Sequence, residues 1–276
     1  MNLQEMHLLF GCDKPIVAML HLPALPGRPR HDIPGGIDHL VDVVGRDLDV
    51  LQEGGVDGLL FCNEADLPYQ LHVGPEAPAA MASVVGQLRR DIRLPFGVDI
   101  VWDPVATLAV ARATSARFVR EVFTGVYESD LGMMQPDFGS IAAYQQAIGA
   151  AEVRLFGNVT PEFASSVGQR TVARRAQSAV YLGVDVILIS GQITGTPLDL
   201  DELREAKAAI PDIPVFANTG VRAESAAAIL AIADGALVGT SLKVDGVTWN
   251  AVDPGRVGRL MDAVRAARES VASRDL

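Results

Sequence analysis

Short apolar runs rich in β-branched residues recur along the chain, each followed by a polar or glycine-rich stretch and then by a longer segment with helical spacing. Eight such units are present, with predicted strands at Ile16–Leu22, Asp57–Asn63, Phe96–Trp102, Phe118–Gly125, Glu152–Val159, Asp185–Gly191, Pro214–Gly220 and Asp234–Thr240. The period of 3.6 predicts helices over Ile37–Glu53, Ala77–Arg93, Pro104–Thr114, Gln169–Leu182, Asp199–Ile210, Glu224–Ile232 and Pro254–Ser270. Strand alternating with helix implies a parallel sheet, and eight units can close it into a (β/α)8 TIM barrel. The 276 residues suit one such domain, which typically takes about 250, so residues 1–276 are read as a single barrel. A doubly wound open sheet is the competitor, but no glycine-rich dinucleotide fingerprint follows the first strand.

The two ends of this barrel differ in their loops. Turns from helix into strand are short and plain, as in Gly54-Gly55-Val56-Asp57, Gly183-Val184-Asp185 and Pro211-Asp212-Ile213-Pro214. Loops leaving the strands are longer and chemically richer, as in His21–Gly36, Asn63–Glu76, Gly125–Gly139 and Lys243–Asp253. A ligand site is therefore expected at the carboxyl ends of the strands. The segment Thr124–Gly132 carries carboxylates and an aromatic residue between glycines, and reads either as a closing lid or as a rigid excursion.

Composition narrows the partners. No apolar run approaches the roughly 20 residues of a membrane-spanning helix, and Met1–Cys12, with acidic Glu5, does not resemble a signal peptide. A cytoplasmic location is expected, as is a homo-oligomer. Cys12 and Cys62 show no metal-type spacing. The net charge of −11 would repel a nucleic acid backbone, so any phosphate must be held locally by amides or a few arginines.

In barrels that bind phosphorylated ligands, the loops after strands seven and eight offer backbone amides and a helix N-terminus to the anion. Gly220, Val221, Gly239, Thr240 and Ser241 are the candidates for that role here, although glycines also simply make tight turns. A second set comprises polar residues in or at the ends of apolar strands: His21, Asn63, Glu64, Asp99, Asp103, Glu121, Asn158 and Asn218. Charge inside a strand is costly to bury unless it is paired or faces a wet pocket. Asp99, Glu121, Glu64 and His21 are the catalytic candidates, and Asn63, Asp103, Asn158 and Asn218 the substrate contacts.

Arg120 and Glu121 must point to opposite faces of their strand, and the interior position is assigned to Glu121; a structural pair with Arg154 is the alternative. The only lysines are Lys14, Lys207 and Lys243, so imine chemistry is open only if Lys243 folds inward. Carboxylate acid/base work, with or without a divalent cation such as Mg or Mn, suits the inventory better.

Taken together, His21-Leu22-Pro23-Ala24-Leu25-Pro26-Gly27, Asn63-Glu64, Trp102-Asp103-Pro104-Val105-Ala106, Arg120-Glu121-Val122-Phe123-Thr124-Gly125, Ala217-Asn218-Thr219-Gly220-Val221 and Val244-Asp245-Gly246-Val247 resemble the BtpA/SgcQ family. The likeness spans almost the whole chain. It is nearer to the SgcQ branch, associated with bacterial sugar-utilisation gene clusters, than to the BtpA branch, associated with photosystem I assembly. The resemblance implies a barrel of the ribulose-phosphate-binding type but no established reaction. At strand five, Phe156-Gly157-Asn158-Val159-Thr160-Pro161-Glu162 departs from the Val-Lys-His-Ala-like segment of the BtpA branch, so no lysine or histidine role carries over. The leading expectation is an isomerase-like or lyase-like enzyme acting on a small phosphorylated metabolite, a sugar phosphate. The alternatives are a non-catalytic biogenesis factor and a hydrolase or transferase for a nucleoside or ribosyl phosphate.

Overall fold

Six consecutive buried residues form β1 (Ile16–His21), as a strand covered on both faces requires. In the computed structural model, which describes residues 1–193 and 196–272, the strands that follow are β2 (Gly58–Cys62), β3 (Phe96–Asp99), β4 (Phe118–Glu121), β5 (Tyr127–Ser129), β6 (Gly132–Met134), β7 (Arg154–Asn158), β8 (Ala164–Ser166), β9 (Val186–Ile189), β10 (Val215–Ala217) and β11 (Gly235–Val238). All but β5, β6 and β8 pair in parallel as a closed barrel, ordered β1-β11-β10-β9-β7-β4-β3-β2. The predicted TIM barrel is therefore the fold. No helix among the described residues is long and apolar enough to cross a membrane.

The helices are α1 (Leu3–Phe10), α2 (Gly36–Glu53), α3 (Glu76–Leu88), α4 (Pro104–Thr114), α5 (Phe138–Ala147), α6 (Val172–Leu182), α7 (Leu200–Ala209), α8 (Ala226–Leu230) and α9 (Pro254–Ala272). Spacing explains their docking: Leu40, Val44, Leu48 and Leu51 put one apolar stripe of α2 against the barrel. Two helices lie outside the sequence expectation. α1 is closed by a reciprocal cap between Asn2 and Glu5 and lays Phe10 under the barrel, its ring centroid 5.7 Å from that of Phe118. α5 falls where only a loop was read, and Asp137 caps it by accepting from the Ser140 amide at 3.2 Å.

The plain turns at the amino ends of the strands carry one repeated device. Asp57, Asp185 and Asp234 each accept a backbone N–H of a neighbouring strand, from Ile16, Leu155 and Val215, at 2.8, 2.8 and 2.9 Å. A cation backs each aspartate: Arg268, Arg154 and Lys207 respectively. This end of the barrel is spent on stability, which leaves the other end for chemistry.

Candidate functional site

The interior of the barrel is filled by Val17, Leu60, Phe118, Phe156, Leu188, Phe216 and Leu237. Phe118 and Phe156 stack with ring centroids 4.6 Å apart. Because side chains alternate along a strand, the residue two places further on also faces the axis. That rule brings His21, Arg120, Asn158, Ser190, Asn218 and Gly239 to the upper end of the barrel. It also corrects the assignment at β4: the interior position belongs to Arg120, whose Nη1 reaches within 3.8 Å of Met19 Sδ across the barrel.

Glu121 turns instead toward α4 at the rim. Its Oε1 accepts from Thr107 Oγ1 at 3.1 Å and its Oε2 from the Val122 amide at 3.2 Å. The alternative partner, Arg154, lies at the opposite end of the barrel with Asp185 and Glu5. Glu121 nonetheless lines the inner cavity together with Glu64, Tyr69, Asp99, Arg120 and Trp102.

Arg120 is the positive centre of this group, 3.5 Å from Asp99 Oδ2 and 3.4 Å from Glu162 Oε2. Burial pushes Asp99 up to about 6, against the pull of Arg120 and with the push of Glu64. Glu121 is raised well above the ordinary carboxylate range, first by burial and then by the charge of Asp99. The charge of Asp99 thus favours the protonated form of Glu121. Beneath them the Cys62 thiol donates to Glu64 Oε2 at 3.4 Å and to Asp99 Oδ2 at 3.6 Å, and burial keeps it protonated.

Across the barrel mouth the loops after β10 and β11 form the wall of a cavity of about 940 Å³, whose lining includes Gly220, Arg222, Gly239, Ser241, Arg256 and Arg259. Glu64, Arg120 and Glu162 line it too, so the two cavities meet at these three residues, while Asp99 and Glu121 face the inner one. The amides of Gly220, Val221, Gly239, Thr240 and Ser241 donate no hydrogen bond to any described residue. The hydroxyls are committed: Thr240 Oγ1 lies 2.9 Å from Thr248 Oγ1, and Ser241 donates to the Val221 carbonyl at 2.7 Å. A helix N-terminus, expected here, contributes little because α8 is only five residues long.

Of the remaining expected residues, His21, Glu64 and Asn218 line the larger cavity and Asn158 the inner one. Asn63 and Asp103 line neither. Asn63 bridges Asp66 and the Val101 amide, and Asp103 caps α4 while accepting from Val73. Their place at strand ends reflects loop anchoring, which needs the same side chains as ligand contact. Among the described residues no group of three or more His, Cys, Asp or Glu side chains converges to hold a metal ion. Arg120 stands between Asp99 and Glu162, supplying positive charge there.

The Thr124–Gly132 segment is built as an antiparallel sheet of β6, β5 and β8, with the Tyr127 hydroxyl donating to the Val159 carbonyl at 3.2 Å. Sequence reading missed Arg120, Glu162, Ser190, Arg256 and Arg259. For Arg120 the available signal was its spacing of two from Phe118.

Fold and site together define a TIM barrel with its polar cavity at the carboxyl ends of the strands. In solved structures the same fold occurs in (S)-3-O-geranylgeranylglyceryl phosphate synthase from Thermoplasma acidophilum in complex with its substrate sn-glycerol-1-phosphate, at a TM-score of 0.63 and 15% identity over 96% of this chain and 98% of that one. The sequence profile of the BtpA family matches residues 12–266, and the chain belongs to that family. It is 44% identical to the sgc region protein SgcQ of Escherichia coli K12 over 94% of this chain and 97% of the relative. It is 28% identical to the photosystem I biogenesis protein BtpA of Synechocystis, over 96% and 93%.

Proposed function

We propose that this protein is an enzyme acting on a small phosphorylated metabolite by proton transfer, in an isomerase-like or lyase-like reaction. One observation carries the reading: a single cavity joins five amides that donate to no described residue and three arginines at one wall to Arg120, Glu64 and Glu162 at the other. Amides and guanidinium groups are the donors that hold a phosphate in a protein of net negative charge. A carbonyl of the ligand then lies against Arg120, whose charge stabilises the oxyanion that forms when a neighbouring carbon loses its proton. Asp99, raised to about 6, is suited to take that proton near neutral pH, and the protonated Glu121 keeps the pair from carrying two negative charges.

Solvent exchange tests this without knowledge of the product. Aldose and ketose phosphates incubated with the protein in D2O should exchange a proton next to the carbonyl, seen by NMR, and Asp99→Asn should slow exchange by about 10² to 10⁴. Binding without exchange across the panel refutes the acid/base role. Absence of binding by every phosphorylated compound refutes the phosphate reading and favours a scaffold.

A further inference from the structure

Two buried hydrogen-bond acceptors in the larger cavity have no partner among the described residues: His21 Nε2 and Asn218 Oδ1. The identity of each atom follows from its neighbours. His21 Nδ1 lies 3.5 Å from the Thr248 carbonyl, which can only accept, so Nδ1 carries the hydrogen and Nε2 presents a bare lone pair. Burial holds the ring neutral, its pKa pushed down to about 4. Asn218 Nδ2 donates to Ser190 Oγ at 2.7 Å, which leaves Oδ1 as the open end of the amide. Ser190 Oγ takes a second amide hydrogen from Asn158 at 2.9 Å, and Asn158 Oδ1 in turn accepts from the Thr160 amide at 3.0 Å.

His21 and Asn218 are 9% and 4% exposed, and both line the larger cavity. His21 ends β1, Asn218 follows β10, and the strand between them, β11, runs into Gly239, which has no side chain. A Cβ there would lie 2.9 Å from His21 Cε1 and Nε2, so the missing side chain is what lets the ring sit against this strand end. The undonating amides begin two residues after Asn218, at Gly220, and at Gly239 itself. Whatever hydrogen-bonds to the acceptors is thus adjacent to the anion.

A buried acceptor left unpaired is costly, and such an orphan is explained when its partner arrives with a ligand. We propose that His21 Nε2 and Asn218 Oδ1 form an acceptor pair that reads hydroxyl groups next to the phosphate, so that the ligand is a phosphorylated polyol or sugar. Compounds lacking those donors are rejected, because they would seal both acceptors away from water unpaired. The inference rests on the phosphate reading above and adds the substrate class to it.

Calorimetric titration of the full chain with sn-glycerol 1-phosphate, ribose 5-phosphate, propyl phosphate and inorganic phosphate separates the two. The hydroxylated compounds should bind roughly tenfold or more tightly than propyl phosphate for each acceptor engaged. Asn218→Ala and His21→Phe should each erase part of that preference while leaving inorganic phosphate affinity unchanged. Equal affinity of the wild type for sn-glycerol 1-phosphate, ribose 5-phosphate and propyl phosphate overturns the inference without any variant and leaves the phosphate reading standing. A preference that survives in both variants overturns it as well. If none of the four probes binds, the phosphate reading fails and this inference falls with it.

Discussion

Lys243 Nζ lies 2.6 Å from Asp47 Oδ2, and both side chains are almost wholly buried. Asp47 belongs to α2 and also accepts from the Val252 amide at 2.8 Å, so the pair ties the loop after β11 to the barrel wall. The one lysine near a strand end is therefore an anchor.

Two measurements follow from that anchor. Replacing Lys243 with Met should leave Asp47 buried and unpaired, lowering stability by on the order of 3 to 5 kcal/mol in urea unfolding. Borohydride with any carbonyl compound that turns over should add no mass to Lys243. A trapped adduct there would show that the pair opens during turnover and would replace the carboxylate mechanism with imine chemistry.

Glu121→Gln gives a cleaner reading than its burial suggests. The Glu121 carboxyl is held protonated, so the substitution keeps its neutral state and its size. Stability should change by less than about 1 kcal/mol, in contrast to loss of one partner from a charged pair. Activity should be largely retained, because the neutral amide also keeps the pair from carrying two negative charges. A large drop in melting temperature would mean that Glu121 is ionised in the folded protein.

The pH dependence of stability pits two groups against each other. His21 titrates at about 4 when folded, below the ordinary 6.5 or so, so the unfolded chain binds more protons between these values. Its contribution, on the order of 3 kcal/mol, is complete above about pH 6.5 and lost as pH falls toward 4. Asp99 is raised to about 6, so here the folded chain binds more protons, and stability falls as pH rises from about 4 to 6. Glu121, also raised, acts in the same direction as Asp99, so the wild type should lose stability as pH rises through that window. His21→Asn should steepen that fall, and Asp99→Asn should lessen it. Identical slopes for all three proteins would rule out both assignments.

The barrel was legible because eight apolar runs separated by helical periods leave few arrangements that bury every face. The orientation of β4 was not. Phe118 and Val119 are both apolar, so alternation alone could not say which member of Arg120-Glu121 looks inward; the stacking of Phe118 on Phe156 decides it. Asn63 and Asp103 hold backbone amides and line neither cavity, a role that sequence does not separate from ligand contact, since a side chain that caps backbone and one that meets a ligand have the same chemistry. Glu162 and Arg256 escaped notice because they lie outside the strand pattern and meet the site only through tertiary structure. The candidate anion loops were visible from their glycines, and two of those glycines make separable demands.

Gly220 and Gly239 both line the larger cavity, yet alanine should act differently at each. Gly220 has φ +68, and a Cβ on it would stand 2.3 Å from the Thr196 carbonyl oxygen and 2.6 Å from Pro197 Cα. Those are backbone atoms, so Gly220→Ala combines left-handed strain with a contact that cannot rotate away. It should destabilise the protein by on the order of 2 kcal/mol or more and displace the amides of Gly220 and Val221. Gly239 has φ −124, which any residue can adopt, and its Cβ would meet side-chain atoms only, His21 at 2.9 Å and Met19 Sδ at 3.3 Å. Gly239→Ala should therefore fold with little loss of stability while pushing the His21 ring off its position. The readouts are melting temperature and phosphate affinity for Gly220→Ala, and preference for sn-glycerol 1-phosphate over propyl phosphate for Gly239→Ala. If Gly220→Ala melts and binds like the wild type, the loop after β10 does not form the anion wall in the conformation described.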